Sequence, residues 1–529
     1  MSHEFREIKV WLLVIERDLL TYHSWCACIL VSIGCFIFLR ELMGNARNLF
    51  CVCRRSSVAL FFAFLLLPEN GTCEELTDFT DLPTFTLRAR WSEDWAVLND
   101  PDRRNQSSWL PLKHITLGEN ETNFLSLGGE YRLAYESYDK ADRGLTDIGY
   151  QNALQQRLAI HTDWRLNEEW RLFGQLGLAT VNDREGGAGA VDETDPDIWQ
   201  LFVDYRMAIA EHDRLVFRLG RQLIETANVF ITAGEANNIR LVYNGGRVAW
   251  LQESSSPFEA FAAEYVDYAD DAFAMSGTGE YFWGSRYSKP LHKSAMDLSF
   301  LYLGWQLDDR HFEQGGAGEN DETRHTLMLW LNQPLRTSNQ LSLDYYLAYQ
   351  FGSYDDQPGG SNINAFAAFG EIKYAFLKEA STPIVGLKTS YFSGDSDPDD
   401  NQLNTFYNPV FGTPYFSYAR DVMPFNLIHI QPNIGYRLNE TLLVTLSNDL
   451  LWRASTNDAF YTGTNKIGVP ATASESSYIG AQAQLAVNWK INRNIVTRMH
   501  VVHFWAGDVV ADDDGQDQTY FHLGINFLF

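Results

Sequence analysis

Cysteine is missing from most of this chain. All six cysteines lie within the first 73 of its 529 residues. Disulfide bonds and cysteine-based metal sites are therefore excluded from the main body of the protein. Catalytic motifs are missing as well, because no Gly-x-Ser-x-Gly, His-Glu-x-x-His or phosphate-binding glycine loop stands out. We predict neither enzymatic activity nor a cofactor.

Long hydrophobic runs are also missing after residue 75. A membrane-spanning helix needs about 20 consecutive apolar residues, and a mean hydropathy of -0.24 is too polar for a helical membrane bundle. Two apolar stretches come earlier, at Trp25–Leu39 and Val58–Leu67. The second has the features of a signal peptide that is cleaved near Glu74. We predict that translation starts at Met43, so that residues 1–73 are upstream sequence plus the signal peptide.

The chain is instead rich in alternating apolar and polar residues. Within Tyr520–Phe529, one face carries Phe521, Leu523, Ile525, Phe527 and Phe529. Side chains of a strand alternate between two faces, and a strand with one apolar face is typical of a barrel in a lipid bilayer. An aromatic last residue is similar to the C-terminal signal of bacterial outer-membrane barrels. The 25 tyrosines and 15 tryptophans suit two interfacial belts.

The same alternation recurs along the chain in segments of about ten residues. Such segments begin near residues 124, 150, 169, 197, 214, 238, 258, 280, 296, 324, 339, 363, 384, 426, 441, 477, 494 and 518. Turns at 165–169, 437–440 and 490–494 are short, whereas most other connections are long. This asymmetry is expected of an outer-membrane barrel. It is not expected of the soluble alternatives, a β-sandwich or a propeller.

We therefore predict an all-β protein, a transmembrane antiparallel β-barrel of about 18 strands with short periplasmic turns and long extracellular loops. The barrel would span residues 124–529, after a periplasmic segment over residues 74–123. Gly245-Gly246 interrupts the alternation of one strand, which predicts a β-bulge.

Charged residues on the inward phase of these strands would line the barrel. The basic ones are Arg132, Arg157, Arg165, Arg171, Arg218, Arg240, Lys373, Lys388, Arg437, Arg453, Lys490 and Arg498. The acidic ones are Glu130, Glu136, Asp163, Asp204, Glu264, Asp344, Glu371 and Asp449. Twelve basic against eight acidic residues leave an excess of about +4, although the whole chain carries -27.

Two interpretations of this lining fit the alternation equally well. A low-dielectric wall with excess positive charge focuses potential and favours anions. Alternatively, the arginines pair with inward carboxylates and only satisfy a polar interior. The acidic loops, such as Asp395–Asp400, lack the spacing and the final glutamate of an EF-hand, so no metal site is predicted.

Several segments, in the same order, resemble the alginate export family of outer-membrane proteins. They are Arg90–Trp95, Pro111–Lys113, Leu125–Arg132, Phe217–Gln222, Asn238–Arg240, Ser393–Asp395, Asn404–Pro409, Tyr415–Phe416 and His503–Asp508. The resemblance covers about residues 85–529. It implies a monomeric barrel with an arginine-rich pore that passes a polyuronate outward.

The resemblance also identifies candidates for the pore lining. Arg132, Arg218 and Arg240 lie inside matching segments, and Arg157 and Arg165 lie on the strand after the first match. The predicted set of lining residues is completed by Lys388, Arg437, Arg498, Glu130 and Asp163. Arg221 matches too, although the alternation places it outward.

We predict an outer-membrane channel with a basic lumen that passes an anionic polysaccharide or its oligomers. The most specific version of this prediction is the export of an alginate-type polyuronate. A general or sugar-specific porin, including one for oligouronide uptake, is the alternative, and a barrel enzyme comes third. The expected partners are the anionic saccharide, outer-membrane lipid, the barrel-assembly machinery and periplasmic export partners. No nucleic acid is expected to bind.

Overall fold

The computed structural model describes residues 82–529, apart from positions 84, 105–108, 190, 226–236, 253–254, 267, 269–276, 292–295, 315–319, 336–339, 357–358, 380, 410–414 and 464–465. The predicted signal peptide and the predicted start at Met43 lie outside the described residues. Among the described residues, none of the helices is both long and apolar enough to cross a membrane.

Eighteen long antiparallel strands form the barrel. In chain order they are β1 Phe124–Tyr138, β2 Gln151–Arg165, β3 Trp170–Asn182, β4 Thr194–Ala208, β5 Asp213–Gln222, β6 Tyr243–Gln252, β7 Ser255–Tyr265, β8 Tyr281–Pro290, β9 Asp297–Arg310, β10 Asn320–Gln333, β11 Leu341–Tyr354, β12 Ser361–Ala375, β13 Thr382–Phe392, β14 Leu427–Asn439, β15 Leu442–Arg453, β16 Tyr478–Lys490, β17 Ile495–Ala506 and β18 Gln518–Leu528. Each strand pairs with the next along the chain, and β18 pairs back with β1. In the closed ladder, backbone N–H and C=O groups form hydrogen bonds with neighbouring strands, which lipid cannot provide.

Short elements decorate the barrel. The two-residue strands Ile115–Thr116 and Gln402–Leu403 join the main sheet, and Phe460–Gly463 and Lys466–Val469 form a separate hairpin. The α-helical turns are Pro101–Arg104 and Asp508–Ala511. The 3-10 turns are Arg90–Ser92, Trp95–Asn99, Leu110–Lys113, Ala141–Gly144 and Ala471–Ala473.

The strand count and the barrel fold predicted from the alternation are confirmed. In β11, Leu347 is 57% exposed on the outer surface, whereas its neighbour Tyr346 is 1% exposed on the inner one. Apolar side chains therefore face lipid, whereas the interior holds polar and small side chains together with a cluster of apolar and aromatic ones that includes Leu303, Trp305 and Phe369. The largest error in a strand start concerns β6, which was predicted near residue 238 and begins at Tyr243.

The β-bulge predicted at Gly245-Gly246 is wrong. These glycines pair in continuous register with Leu219 and Gly220 on one side and with Ala262 and Ala263 on the other. A Cβ atom at Gly245 would lie 2.3 Å from the carbonyl oxygen of Ala262. Glycine is needed here because the two backbones approach closely, and residues 238–242, which confused the alternation, precede the strand.

Three segments fold into the barrel interior, and we name them by their position. The N-terminal segment comprises residues 82–83, 85–104 and 109–113, the short inner loop residues 237–242, and the long inner loop residues 404–409 and 415–425. The sequence predicted a periplasmic segment over residues 74–123, and its described residues contact inward side chains near the short, periplasmic turns. The sequence did not predict which loops enter the barrel.

Candidate functional site

The N-terminal segment is attached where the barrel closes. Nη1 of Arg90 donates to the carbonyl oxygen of Gly129 in β1 at 2.6 Å, and Nη2 donates to that of Phe529 at 3.0 Å. The same guanidinium pairs with Glu93 at 2.6 Å. Arg90 and Glu93 are both buried, so these charge-assisted hydrogen bonds form away from water.

Inward arginines of the barrel wall and of the short inner loop hold the rest of this segment. Arg165 in β2 lies 3.1 Å from the carboxylate of Asp94. The guanidinium of Arg218 in β5 lies 3.9 Å from the ring centroid of Trp91, in a cation–π contact. Arg240 donates to the carbonyl oxygen of Leu87. Three predicted lining residues therefore bind a segment of the protein itself.

Carboxylates on the barrel strands form ion pairs with these and neighbouring inward arginines. Glu130 lies 2.8 Å from Arg157 and 2.8 Å from Arg240, and these three side chains are at most 1% exposed. The other buried pairs are Asp163–Arg171 at 2.6 Å and Asp204–Arg218 at 2.7 Å. In low dielectric such pairs persist only when each charge has its partner. These ion pairs are expected if the inward arginines pair with inward carboxylates and only satisfy a polar interior, which is the second interpretation of the lining.

Arg132 lies in the same region but has mostly neutral partners. Its guanidinium donates to the side-chain oxygens of Gln155 at 3.2 Å and Asn238 at 3.1 Å. Asn238 belongs to the short inner loop, and Nη1 of Arg157 also donates to its carbonyl oxygen. The wall of β1 to β5 is therefore packed against protein rather than open to solvent.

The alternation misplaced Arg221 and Glu264. Arg221 was predicted to face outward, but it is 2% exposed and donates to Asn244 at 3.1 Å. The preceding Gly220 has a φ of 130°, a conformation that interrupts a regular strand. Glu264 was predicted to face inward, but it lies on the opposite phase to the buried Phe261 and Ala263.

Inward pairs that sequence reasoning missed lie on β6, β7 and β10. Arg324 pairs with Glu322 at 3.0 Å, and Arg247 pairs with Glu259. Glu322 and Arg324 are two residues apart, the spacing of one strand face. The alternation was therefore a usable signal for that pair.

The long inner loop crosses the barrel interior and is held by side chains from several strands. Each donates a hydrogen bond to a backbone carbonyl oxygen of the loop, namely Arg324 to Thr405, Gln350 to Tyr407, Lys388 to Tyr415, Gln484 to Phe416 and Tyr138 to Ala419. Because the donors come from β1, β10, β11, β13 and β16, the loop spans the full width of the barrel.

A buried aspartate fixes the start of this loop. Asp458 accepts hydrogen bonds from the backbone N–H of Asp395 at 2.8 Å, the hydroxyl of Thr405 at 2.6 Å and the hydroxyl of Tyr461 at 2.7 Å. Asp395 is fully buried nearby. Desolvation, reinforced by the negative charge of Asp458, raises the pKa of Asp395 to about 7.

We expect the extracellular loop around Asp395 to loosen as the pH rises. Because its pKa in the folded protein lies above the ordinary 3.8, the protonated form stabilises the loop, and this stability is lost between about pH 4 and pH 7. Between those pH values the opening equilibrium of residues 393–409 should change by up to about tenfold per pH unit, and the change should level off above pH 7. Hydrogen exchange at pH 5.5 and pH 8, corrected for intrinsic rates, measures it.

The matched variant for this experiment is Asp395→Asn, which cannot ionise. Its loop should show the same corrected protection at both pH values. A pH dependence that is the same in the variant and the natural protein would contradict the assignment to Asp395.

The wall formed by β12 to β17 differs from the wall of β1 to β5. Besides Arg453, which is 1% exposed, its inward cations are Lys373, Lys388, Arg437, Lys490 and Arg498, and we call these five the cationic wall. All five are partly exposed, and many inward residues between them are small or neutral, such as Gly386, Asn433, Gly435, Ser447, Ala486 and Asn488, although Glu371 and Asp449 also lie on this wall. Three of the predicted lining residues, Lys388, Arg437 and Arg498, belong to this wall.

The cations of this wall are only partly neutralised. Within the described part of the chain, neither Arg437 nor Lys490 forms an ion pair, whereas Lys373 pairs with Glu371 at 2.7 Å. Arg498 donates to the hydroxyl of Tyr418 at 3.3 Å. Asp449, a further acid of this wall, is already bound to His429 at 2.6 Å.

A closed barrel with lipid-facing apolar side chains and a charged interior defines an outer-membrane β-barrel channel. The model of the alginate export family matches residues 123–523, and the chain belongs to that family. It is therefore a protein of the bacterial outer membrane. A search of the curated proteins found no match.

Solved structures to which this chain is similar include proteins of Acinetobacter baumannii and Pseudomonas aeruginosa. Acinetobacter baumannii OccAB2 has a TM-score of 0.49 and 11% identity, with 77% of this chain and 98% of that chain covered. Pseudomonas aeruginosa OccD3 (OpdP) has a TM-score of 0.49 and 12% identity, with 79% and 93% covered. Pseudomonas aeruginosa OpdL has a TM-score of 0.46 and 11% identity, with 77% and 98% covered.

Proposed function

We propose that this protein is a passive channel that carries an anionic polysaccharide or its oligomers across the outer membrane along the cationic wall. The observation that supports it most is that Arg437 and Lys490 lack ion-pair partners within the described residues, on a wall with many small or neutral inward side chains. Fixed positive charge beside a low-dielectric wall attracts anions. By contrast, we assign a structural role to Arg132, Arg157, Arg165, Arg218 and Arg240.

A polyuronate of the alginate type fits this wall chemically. Each of its sugar rings carries one carboxylate, and a guanidinium can bind a carboxylate with two parallel hydrogen bonds. Successive cations along the lumen would exchange carboxylates as the chain advances, and binding to several weak sites allows passage. The membership of the alginate export family supports export, although a passive pore also permits uptake.

Replacing Arg437 and Lys490 by glutamine should reduce the preference for anions. Two charges are lost from the narrow interior, where they are screened less than in bulk solution, so the ratio of chloride to potassium permeability should fall about threefold or more. The reversal potential of single channels in a KCl gradient measures this ratio.

The matched control is Lys289→Gln, which removes a positive charge from an exposed position on the outward phase of β8. It should leave the reversal potential unchanged. An equal shift in the control, or no shift in the double variant, would contradict the role of the cationic wall.

The inward segments favour oligomers over long chains as the transported form. The N-terminal segment and the long inner loop both occupy the interior, so the free path is narrow. Block of the ion current by mannuronate oligomers separates this function from that of a general porin. A channel that prefers anions but shows no block would be a porin for small solutes.

A further inference from the structure

An aromatic cavity lies in the extracellular half of the barrel, and one residue of its lining, Tyr415, is contacted by Lys388 of the cationic wall. Its volume is about 590 Å³. Tyr243, Phe282 and Trp305 of β6, β8 and β9 line one side, and Tyr407 of the long inner loop lines another. Residues of extracellular loops, including Asp142 and Thr462, line it as well. A cavity of this size suits a small organic ligand.

Two tyrosine hydroxyls in this cavity have no hydrogen-bond partner among the described residues. They belong to Tyr243, which is 2% exposed, and Tyr407, which is 1% exposed. Nε of Arg310, which also lines the cavity, is equally without a partner. Leaving a buried polar group unsatisfied costs about 1–3 kcal/mol, so such groups normally meet water or a ligand.

The charges around the cavity are already neutralised. Arg310 forms an ion pair with Glu280. Arg420 pairs with Glu136 at 3.3 Å, and Arg184 pairs with Glu136 and also with Asp192, at 2.8 Å from the latter. A carboxylate would therefore meet no spare positive charge here, in contrast to the cationic wall. The groups that remain available are hydroxyls, one N–H and the faces of aromatic rings.

We propose that the aromatic cavity is a binding subsite for a pyranose ring, which it recognises by hydroxyl groups and by the apolar C–H face of the sugar rather than by a carboxylate. This inference rests on the proposed passage of a saccharide. Sugar hydroxyls both donate and accept hydrogen bonds, as the phenols of Tyr243 and Tyr407 require. The C–H face packs against rings such as Phe282 and Trp305, as apolar groups do in aromatic pockets.

The subsite should therefore bind a neutral sugar as well as an acidic one. We would reconstitute the full-length protein in planar bilayers and add mannotriose or the mannuronate trimer from the extracellular side. Both trimers should block the ion current. The variants Tyr243→Phe and Tyr407→Phe each remove one hydroxyl and should weaken the block by both trimers about fivefold. Arg437→Gln should weaken the block by the mannuronate trimer alone.

The control is Tyr287→Phe, which removes a hydroxyl from the outer surface and should not change the block. Block by the mannuronate trimer without block by mannotriose would overturn the subsite and leave the proposed channel function intact. Unchanged block in both tyrosine variants would overturn it too. Absence of block by either trimer rejects the subsite, and if anion preference is also absent, the proposed function fails with it.

Discussion

Arg90→Ala should produce a channel with a wider periplasmic mouth. The substitution removes the hydrogen bonds from Arg90 to the carbonyl oxygens of Gly129 and Phe529. Hydrogen bonds to a charged group contribute about 1.5–3 kcal/mol each, so losing two should raise the displaced population of the N-terminal segment about 100-fold or more. Single-channel recording should then show a larger conductance level that the natural protein visits rarely.

The control for this experiment lies on the same segment. Arg103 is 38% exposed and pairs loosely with Asp100 at 3.6 Å, so Arg103→Ala should keep the conductance of the natural protein. Indistinguishable conductance and open times in Arg90→Ala and Arg103→Ala would mean that the segment does not obstruct the path.

The alternation of side chains predicted the barrel because lipid imposes the same rule on every strand. Each strand must present apolar residues outward, and the period of two is local, so one sequence suffices to read it. Errors in the predicted strands and side-chain directions arose where apolar residues alternate but do not face lipid. Residues 238–242 carry apolar side chains at alternate positions, but Ile239 and Val242 are buried inside the barrel rather than in lipid.

The interior was harder to predict because inward phase does not tell which charges are already neutralised. Arg240 meets Glu130 across 110 residues of sequence, and Arg90 meets the carbonyl oxygen of Phe529 across 439. Arg157 and Arg437 both lie on inward phases, but Arg157 forms an ion pair, whereas Arg437 forms none within the described residues. The sequence around each arginine does not indicate this difference. Pairing depends on which segments fold into the lumen, and the sequence alone did not reveal this.

Glu130→Ala should be among the most destabilising single substitutions in the barrel wall. Glu130 is fully buried and forms ion pairs with Arg157 and with Arg240, each at 2.8 Å. Without it, two guanidinium groups remain buried and lose their common counter-charge. Breaking a buried ion pair in this way costs about 3–5 kcal/mol. Urea unfolding of the purified barrel in detergent, followed by tryptophan fluorescence, measures the loss.

Two further variants separate charge from packing. Replacing Glu130, Arg157 and Arg240 together by methionine removes all three charges, and it should recover most of the stability lost in Glu130→Ala. Lys373→Ala breaks the Lys373–Glu371 pair, whose lysine is 40% exposed, and should cost less than about 1 kcal/mol. If Glu130→Ala were no more destabilising than Lys373→Ala, water would have to reach the Glu130 cluster, and its arginines would be available to a passing anion after all.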